Sequence, residues 1–144
     1  MSTNATIEPP RIYAAFRCRD AEEMIRFLKE AFGFTEHVVY RREGIVEHAQ
    51  LAFGSAMVML GQDRDDEWGK IVGRPGAPNG RGIYVAIPNA DALHARVKAA
   101  GARIVMDLTD QPYGSRDFAC LDPEGNVWTF GTYWPKAHEK ALPG

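Results

Sequence analysis

The sequence is poor in the residues from which metal centres and nucleophilic sites are most often built. Among 144 residues there are two cysteines and four histidines. Cys18 and Cys120 each lie in an apolar run with no partner at framework or chelating spacing, which argues against a disulfide scaffold and reads as buried, reduced thiols. His37, His48, His94 and His138 form no i, i+4 pair, and there is no C-x-x-C element. The G-x-S-x-G elbow, the P-loop and the dinucleotide fingerprint are also missing. No apolar run approaches the ~20 residues needed to span a membrane. Met1 to Pro10 has neither the basic start nor the apolar stretch of a signal peptide, so a cytoplasmic protein is expected. Seventeen basic residues against nineteen acidic ones, scattered along the chain with a net charge of −2, offer no patch for nucleic acid.

What is present is a repeat. The first unit opens with Tyr13-Ala14-Ala15-Phe16, in a strand read as Ile12 to Cys18, followed by a helix from Asp20 to Gly33. Asp20 is a natural N-cap, Glu22 and Glu23 suit the positive end of the helix dipole, and Gly33 suits the C-terminal end. Met24, Phe27, Leu28, Ala31 and Phe32 recur at helical steps to make one apolar face. Strands over 34–42, 45–53 and 56–60 follow, joined by turns at Glu43-Gly44 and Gly54-Ser55. The second unit repeats the plan, with a strand Ile83 to Ile87, a helix from Asn89 to Gly101 and a strand Arg103 to Leu108. Turns at Gln111-Pro112-Tyr113-Gly114 and Asp122-Pro123-Glu124-Gly125 then frame the last two strands. The Asp122 turn reads as structural. A period of roughly 70 residues is longer than that of a solenoid.

The fold expected is therefore α+β: two fused βαβββ modules forming a cup-shaped mixed sheet with helices on the outer face. The boundaries are a single domain over 1–144, with the first module at 11–61, a connector at 62–80, the second module at 81–134 and a polar tail at 135–144. The connector shows neither strand nor helix period and reads as a lid or mobile loop.

Three stretches carry a family resemblance. Asp122-Pro123-Glu124-Gly125-Asn126 closes the repeat, Tyr113-Gly114-Ser115-Arg116 precedes it, and His48-Ala49-Gln50-Leu51 marks the matching first-module strand. Over about residues 11–134 the chain resembles the vicinal oxygen chelate superfamily, which includes glyoxalase I, extradiol dioxygenases, fosfomycin-modifying enzymes and bleomycin-binding resistance proteins. It looks most like uncharacterised bleomycin-resistance-like members. The resemblance implies that metal-dependent members place His or Glu on the first and last strand of each module. Those positions fall here on Tyr13, Met59, Gly82 (or Tyr84 after a register slip) and Thr129. Neutral hydroxyls and a thioether are poor ligands for hard divalent cations, so no metal and no other cofactor is expected.

Strand alternation turns His48 and Gln50 to the face away from the helix, and Met57, Met59, Val127 and Thr129 with them. The lining expected for a small-molecule ligand is Tyr13, His48, Gln50, Met57, Met59, Tyr84, Arg116, Phe118 and Thr129, with Trp68 and Tyr113 at the rim. Tyr13, Met57 and Met59 fit core packing equally well, and Arg116 fits either a ligand carboxylate or an ion pair with Asp117 or Glu47. Trp128 and Phe130 fall under a helix. Cys120 with His48 as base is a thin nucleophile reading, because an apolar strand raises a thiol's pKa. The expected function is metal-independent binding of a planar or amphipathic compound by a homodimer, with no nucleic-acid or membrane partner. The alternative is a glyoxalase-like lyase or isomerase using His48 with Glu47 or a tyrosine, or an atypical metal site.

Overall fold

The structure, a computed structural model, describes residues 8–76 and 79–139. The chain forms two compact units: the segment through Lys29 with Gly33–Pro75, and Glu30–Phe32 with the segment from Gly76 onward. Each unit holds one four-stranded mixed sheet.

In unit 1, β1 (Ala14–Cys18) leads into α1 (Ala21–Phe27), then β2 (Thr35–Arg42), β3 (Ile45–Phe53) and β4 (Ala56–Gln62). The spatial order is β1-β4-β3-β2, with β1 parallel to β4 and the other pairs antiparallel. Asp20 caps α1 by accepting the Glu23 N–H at 3.1 Å. The helix continues as a π-helical segment, Leu28–Phe32, and Gly33 reverses the chain at φ 86°. The Gly33 and Phe34 N–H groups both return to the Leu28 carbonyl. Glu43 and Gly44 both take positive φ, 53° and 77°, as a two-residue hairpin turn requires.

Unit 2 repeats this order. β5 (Gly82–Ala86), α3 (Ala90–Ala99), β6 (Arg103–Asp110), β7 (Arg116–Leu121) and β8 (Val127–Gly131) assemble as β5-β8-β7-β6, with β5 parallel to β8. The α+β fold of two βαβββ modules read from the sequence is the fold observed.

Two local expectations are corrected. The connector is not without structure, because it contains α2 (Glu67–Val72). Six residues with a central glycine have little intrinsic helix tendency, so the sequence period gives no sign of it. The segment is held by Asp66, whose side chain accepts the Gly69 N–H at 2.7 Å while taking a bidentate pair from Arg17 at 3.1 and 3.0 Å. Ala77 and Pro78, also assigned to the connector, lie outside the described residues. Strand β6 also runs on to Asp110 rather than stopping at Leu108.

One face of each sheet packs on its helix. In unit 1 α1 lies on β1, β3 and β4, and Met24, Ala49, Leu51, Val58 and Leu60 are buried there. In unit 2 α3 lies on β6 and β7, and its Val97 is fully buried, as are Phe118, Cys120, Trp128 and Phe130 of the sheet. Phe32, grouped with unit 2, packs its ring 5.1 Å from Trp128 and 4.8 Å from Phe130. Among the described residues no helix is long and apolar enough to cross a membrane.

The Asp122 turn explains its own sequence. Asp122 is buried, and its carboxylate accepts the N–H groups of Glu124 and Asn126, the Asn126 side-chain amide and the Trp128 indole, all at 2.8–3.0 Å. Gly125 closes the turn at φ 87°, where a side chain is disfavoured.

Candidate functional site

The chemistry expected of the site lies on the sheet faces turned away from α1 and α3. In unit 1, β3 alternates buried Ala49 and Leu51 with half-buried His48 and Gln50. Across the sheet, Ala15 pairs with Met59, Met59 with Gln50, and Gln50 with Val38. These four form one row on the far face. His48 stacks with Tyr40, its cross-strand partner, at 6.4 Å.

Gln50 organises this face. Its carbonyl oxygen is 3.0 Å from His48 Nε2, and its amide nitrogen is 3.2 Å from His37 Nδ1 and 3.4 Å from Met57 Sδ. A carboxamide has one accepting end and one donating end. The two imidazoles it touches therefore present opposite polarity to it, His48 donating and His37 accepting. Tyr13, just before β1, and Met59 are half-buried. His48, Gln50, Met57 and Met59 are thus brought together, and His37 joins them unpredicted.

In unit 2 the equivalent row is Tyr84, Thr129, Ala119 and Met106. Comparing the rows makes Ala15 the counterpart of Tyr84, so Tyr13 corresponds to Gly82, with no slip of register. Tyr84 and Thr129 are neighbours on the far face, and Tyr113 reaches the same region from the turn before β7.

Three members of the expected lining stand elsewhere. Phe118 pairs in register with Phe130 and stacks on it at 5.4 Å; it lies on the α3 face, fully buried, with the His94 ring edge-on at 5.2 Å. Arg116 has the same parity. Its guanidinium is held by Asp91 at 3.0 and 3.1 Å and by Asp110 at 3.0 Å, rather than by Asp117 or Glu47. Those two carboxylates raise its pKa further, so it is not a free clamp for a ligand carboxylate. Trp68 lies on α2, more than half exposed, and its indole makes no hydrogen bond or ring contact among the described residues. Cys120 also faces α3; burial pushes its thiol up to about 12, which leaves it inert as a nucleophile.

Sequence reasoning missed Asp117, Ser115 and Tyr133. Asp117 is buried on the far face of β7, and it accepts from Tyr113 Oη at 3.0 Å and from Ser115 Oγ. The available signal was parity: Tyr113, Ser115, Asp117 and Ala119 are spaced by two along an extended segment, with a carboxylate inside an otherwise apolar strand.

The residues present do not fit a divalent metal. The positions the fold would use hold Tyr13, Met59, Gly82 and Thr129, a set of neutral hydroxyls, a thioether and a glycine. No three His, Cys, Asp or Glu residues gather to hold an ion among the described residues.

The glyoxalase/bleomycin resistance protein/dioxygenase superfamily model matches residues 12–130, spanning both modules. The chain belongs to this superfamily. An uncharacterised protein of Mycobacterium tuberculosis (strain H37Rv) is 32% identical to this superfamily member over 118 residues, covering 78% of this chain and 68% of that one. The crystal structure of TioX from Micromonospora sp. ML1 is similar with a TM-score of 0.69 and 27% identity, covering 85% of this chain and 94% of TioX. A family enzyme from Burkholderia phytofirmans PsJN, at 21% identity and a TM-score of 0.66, covers 83% of this chain and 94% of its own and shares the fold.

Proposed function

We infer that this superfamily member is a metal-independent binding protein that sequesters a planar or amphipathic small molecule. The observation that carries this reading is the make-up of the far face in unit 1. Half-buried Met57 and Met59 lie beside an amide, Gln50, whose two ends are fixed by His48 and His37. Thioethers adapt to flat apolar surfaces, and a fixed amide with its imidazole neighbours sorts the polar edge of a ligand. Tyr13, just before β1, adds a ring. Unit 2, taken by itself, carries a face of its own with the hydroxyls and rings of Tyr84, Tyr113 and Thr129. The same reading takes the protein as a cytoplasmic homodimer.

The test is a thermal-shift screen of planar and amphipathic compounds against protein treated with a chelator, with each hit recovered and its mass measured. A binding protein gives a melting temperature that climbs with ligand concentration, is indifferent to the chelator, and returns the compound unchanged. Turnover that is lost with the chelator, or on His48→Ala, would instead establish the lyase or isomerase. No stabilisation by any compound would sink the binding reading.

A further inference from the structure

Asp117 is a carboxylate with no cationic partner among the described residues. It is 3% exposed, and none of the ion pairs among the described residues includes it. The neighbouring Arg116 is turned to the other face and occupied by Asp91 and Asp110. Among the described residues, hydroxyls hold the Asp117 side chain: Tyr113 Oη at 3.0 Å and Ser115 Oγ. Ser115 Oγ in turn accepts the Tyr133 N–H at 3.0 Å, and the Tyr84 hydroxyl donates to the Tyr133 carbonyl at 2.6 Å.

Gly131 makes this convergence possible. It pairs with Asp117 across β7 and β8 and with Ala86 across β5 and β8. A Cβ at 131 would run into the Asp117 carboxylate and would lie 2.5 Å from the Tyr84 hydroxyl. The missing side chain is what lets a phenol and a carboxylate occupy the same place.

Three tyrosines gather at the buried carboxylate, Tyr113 and Tyr84 through their hydroxyls and Tyr133 through its backbone, and all remain reachable: Tyr113 is 54% exposed, Tyr84 40% and Tyr133 36%. The Tyr113 and Tyr133 rings meet at 81° with centroids 5.9 Å apart, two walls of a corner. The Tyr113 hydroxyl donates to Asp117 and the Tyr84 hydroxyl to the Tyr133 carbonyl, so both protons are already committed within the cluster. The negative field is felt locally, since the hydrogen bond to Asp117 raises the Tyr113 pKa.

We propose that the corner formed by Tyr84, Tyr113 and Tyr133 over Asp117 binds an organic cation, the alkylammonium or quaternary ammonium group of a small molecule. Ring faces attract a cation through their quadrupole, and a desolvated carboxylate behind them adds to that attraction. An anion meets only acceptors and a like charge. A neutral group gains shape contact alone. The proposal rests on the small-molecule-binding reading and adds a charge preference to the unit 2 face, taken by itself.

Choline and its neutral isostere 3,3-dimethylbutan-1-ol are the probes, titrated into the full chain and followed by the tyrosine ring resonances. Choline should saturate the shifts of Tyr84, Tyr113 and Tyr133 about tenfold more tightly than the isostere. Asp117→Asn should reduce that preference severalfold, leaving the part that the ring faces supply. Because Asp117 is buried and its variant is at risk of misfolding, Tyr133→Leu is the second variant. It removes one ring wall and leaves the Tyr133 backbone bonds in place, and it should weaken choline severalfold. Equal binding of choline and isostere, no saturable shift with choline, or unchanged choline binding in Tyr133→Leu overturns the proposal. A screen in which only neutral or anionic compounds stabilise the protein also overturns it, while leaving the binding reading intact. A screen with no hits overturns the binding reading itself.

Discussion

The indole N–H of Trp128 donates to the Asp122 carboxylate at 2.8 Å, so the turn before β8 and the largest buried side chain of unit 2 are secured by one group. Asp122→Ala strands the Glu124 and Asn126 N–H groups and leaves the buried indole without an acceptor. A loss of about 3 kcal/mol in urea unfolding is expected, from the removal of a charged acceptor shared by several donors. A loss below about 1 kcal/mol would show that water replaces the carboxylate at this turn.

Gly131 and Gly82 sit on neighbouring strands with opposite tolerance for a methyl group. Gly131→Ala drives a Cβ into Asp117 and Tyr84, whereas a Cβ at Gly82 meets only the Val127 carbonyl at 3.7 Å, an ordinary contact. Gly131→Ala should destabilise by about 2 kcal/mol or more, and Gly82→Ala should stay within about 0.5 kcal/mol of the parent. Chemical denaturation of the pair provides the comparison. Equal effects would remove the packing argument for Gly131.

Asp66 gives the protein an acid-sensitive element. The Arg17 guanidinium and the Gly69 N–H hold its carboxyl down at about 2, from an ordinary 3.8. A lowered pKa means that its contribution is fully present above about 3.8 and is lost as the pH falls toward 2. Hydrogen exchange at the Gly69 amide should therefore accelerate over that window beyond the intrinsic pH dependence. In Asp66→Ala the amide should be unprotected at every pH.

Cys120 sets a limit at the alkaline end. Its thiol is raised by burial to about 12 from an ordinary 9.0. The neutral form is favoured in the fold, so this stabilisation is whole below about 9 and declines as the pH climbs toward 12. Iodoacetamide at pH 8 should label neither Cys120 nor the buried Cys18 in native protein and both in urea. Rapid native labelling of Cys120 would contradict its burial.

Gln50 separates binding from folding. Gln50→Leu removes the amide shared by His37, His48 and Met57 on a half-buried face. Stability should change by about 1 kcal/mol or less, because both imidazoles retain access to water. A compound found by the thermal-shift screen should bind severalfold more weakly to the variant, by calorimetry. Undiminished affinity would place the ligand away from this face.

Alternation and caps made much of the architecture legible. Asp20 and Asn89 cap their helices, through Glu23 N at 3.1 Å and Ala92 N at 3.0 Å, as short acceptor side chains before an apolar helical period should. The period of two along β3 and β4 turned His48, Gln50, Met57 and Met59 to one face without knowledge of any neighbour. Phe118 shows the limit of residue character as a guide. An aromatic ring suits a ligand surface, yet counting back from the Asp122 turn pairs Phe118 with Phe130, and that register puts it under α3.

By itself the sequence determined two βαβββ modules, the ends of their main helices and the side to which most strand residues point, because caps, glycines and alternation act over a few neighbouring residues. It also put Tyr13, Met59, Gly82 and Thr129, a poor set for a hard cation, where the family resemblance implies metal ligands. Tertiary structure alone decided what the charged groups do. Arg116 found Asp91, far back in the chain, before any ligand. The six residues of α2 became a helix only because Arg17, from β1, holds their capping Asp66. Asp117 became a buried charge ringed by tyrosines only when β5, β8 and the segment after it brought Tyr84, Gly131 and Tyr133 to one place. Ion pairs and buried charges depend on distance through space, and a sequence period carries no record of that distance.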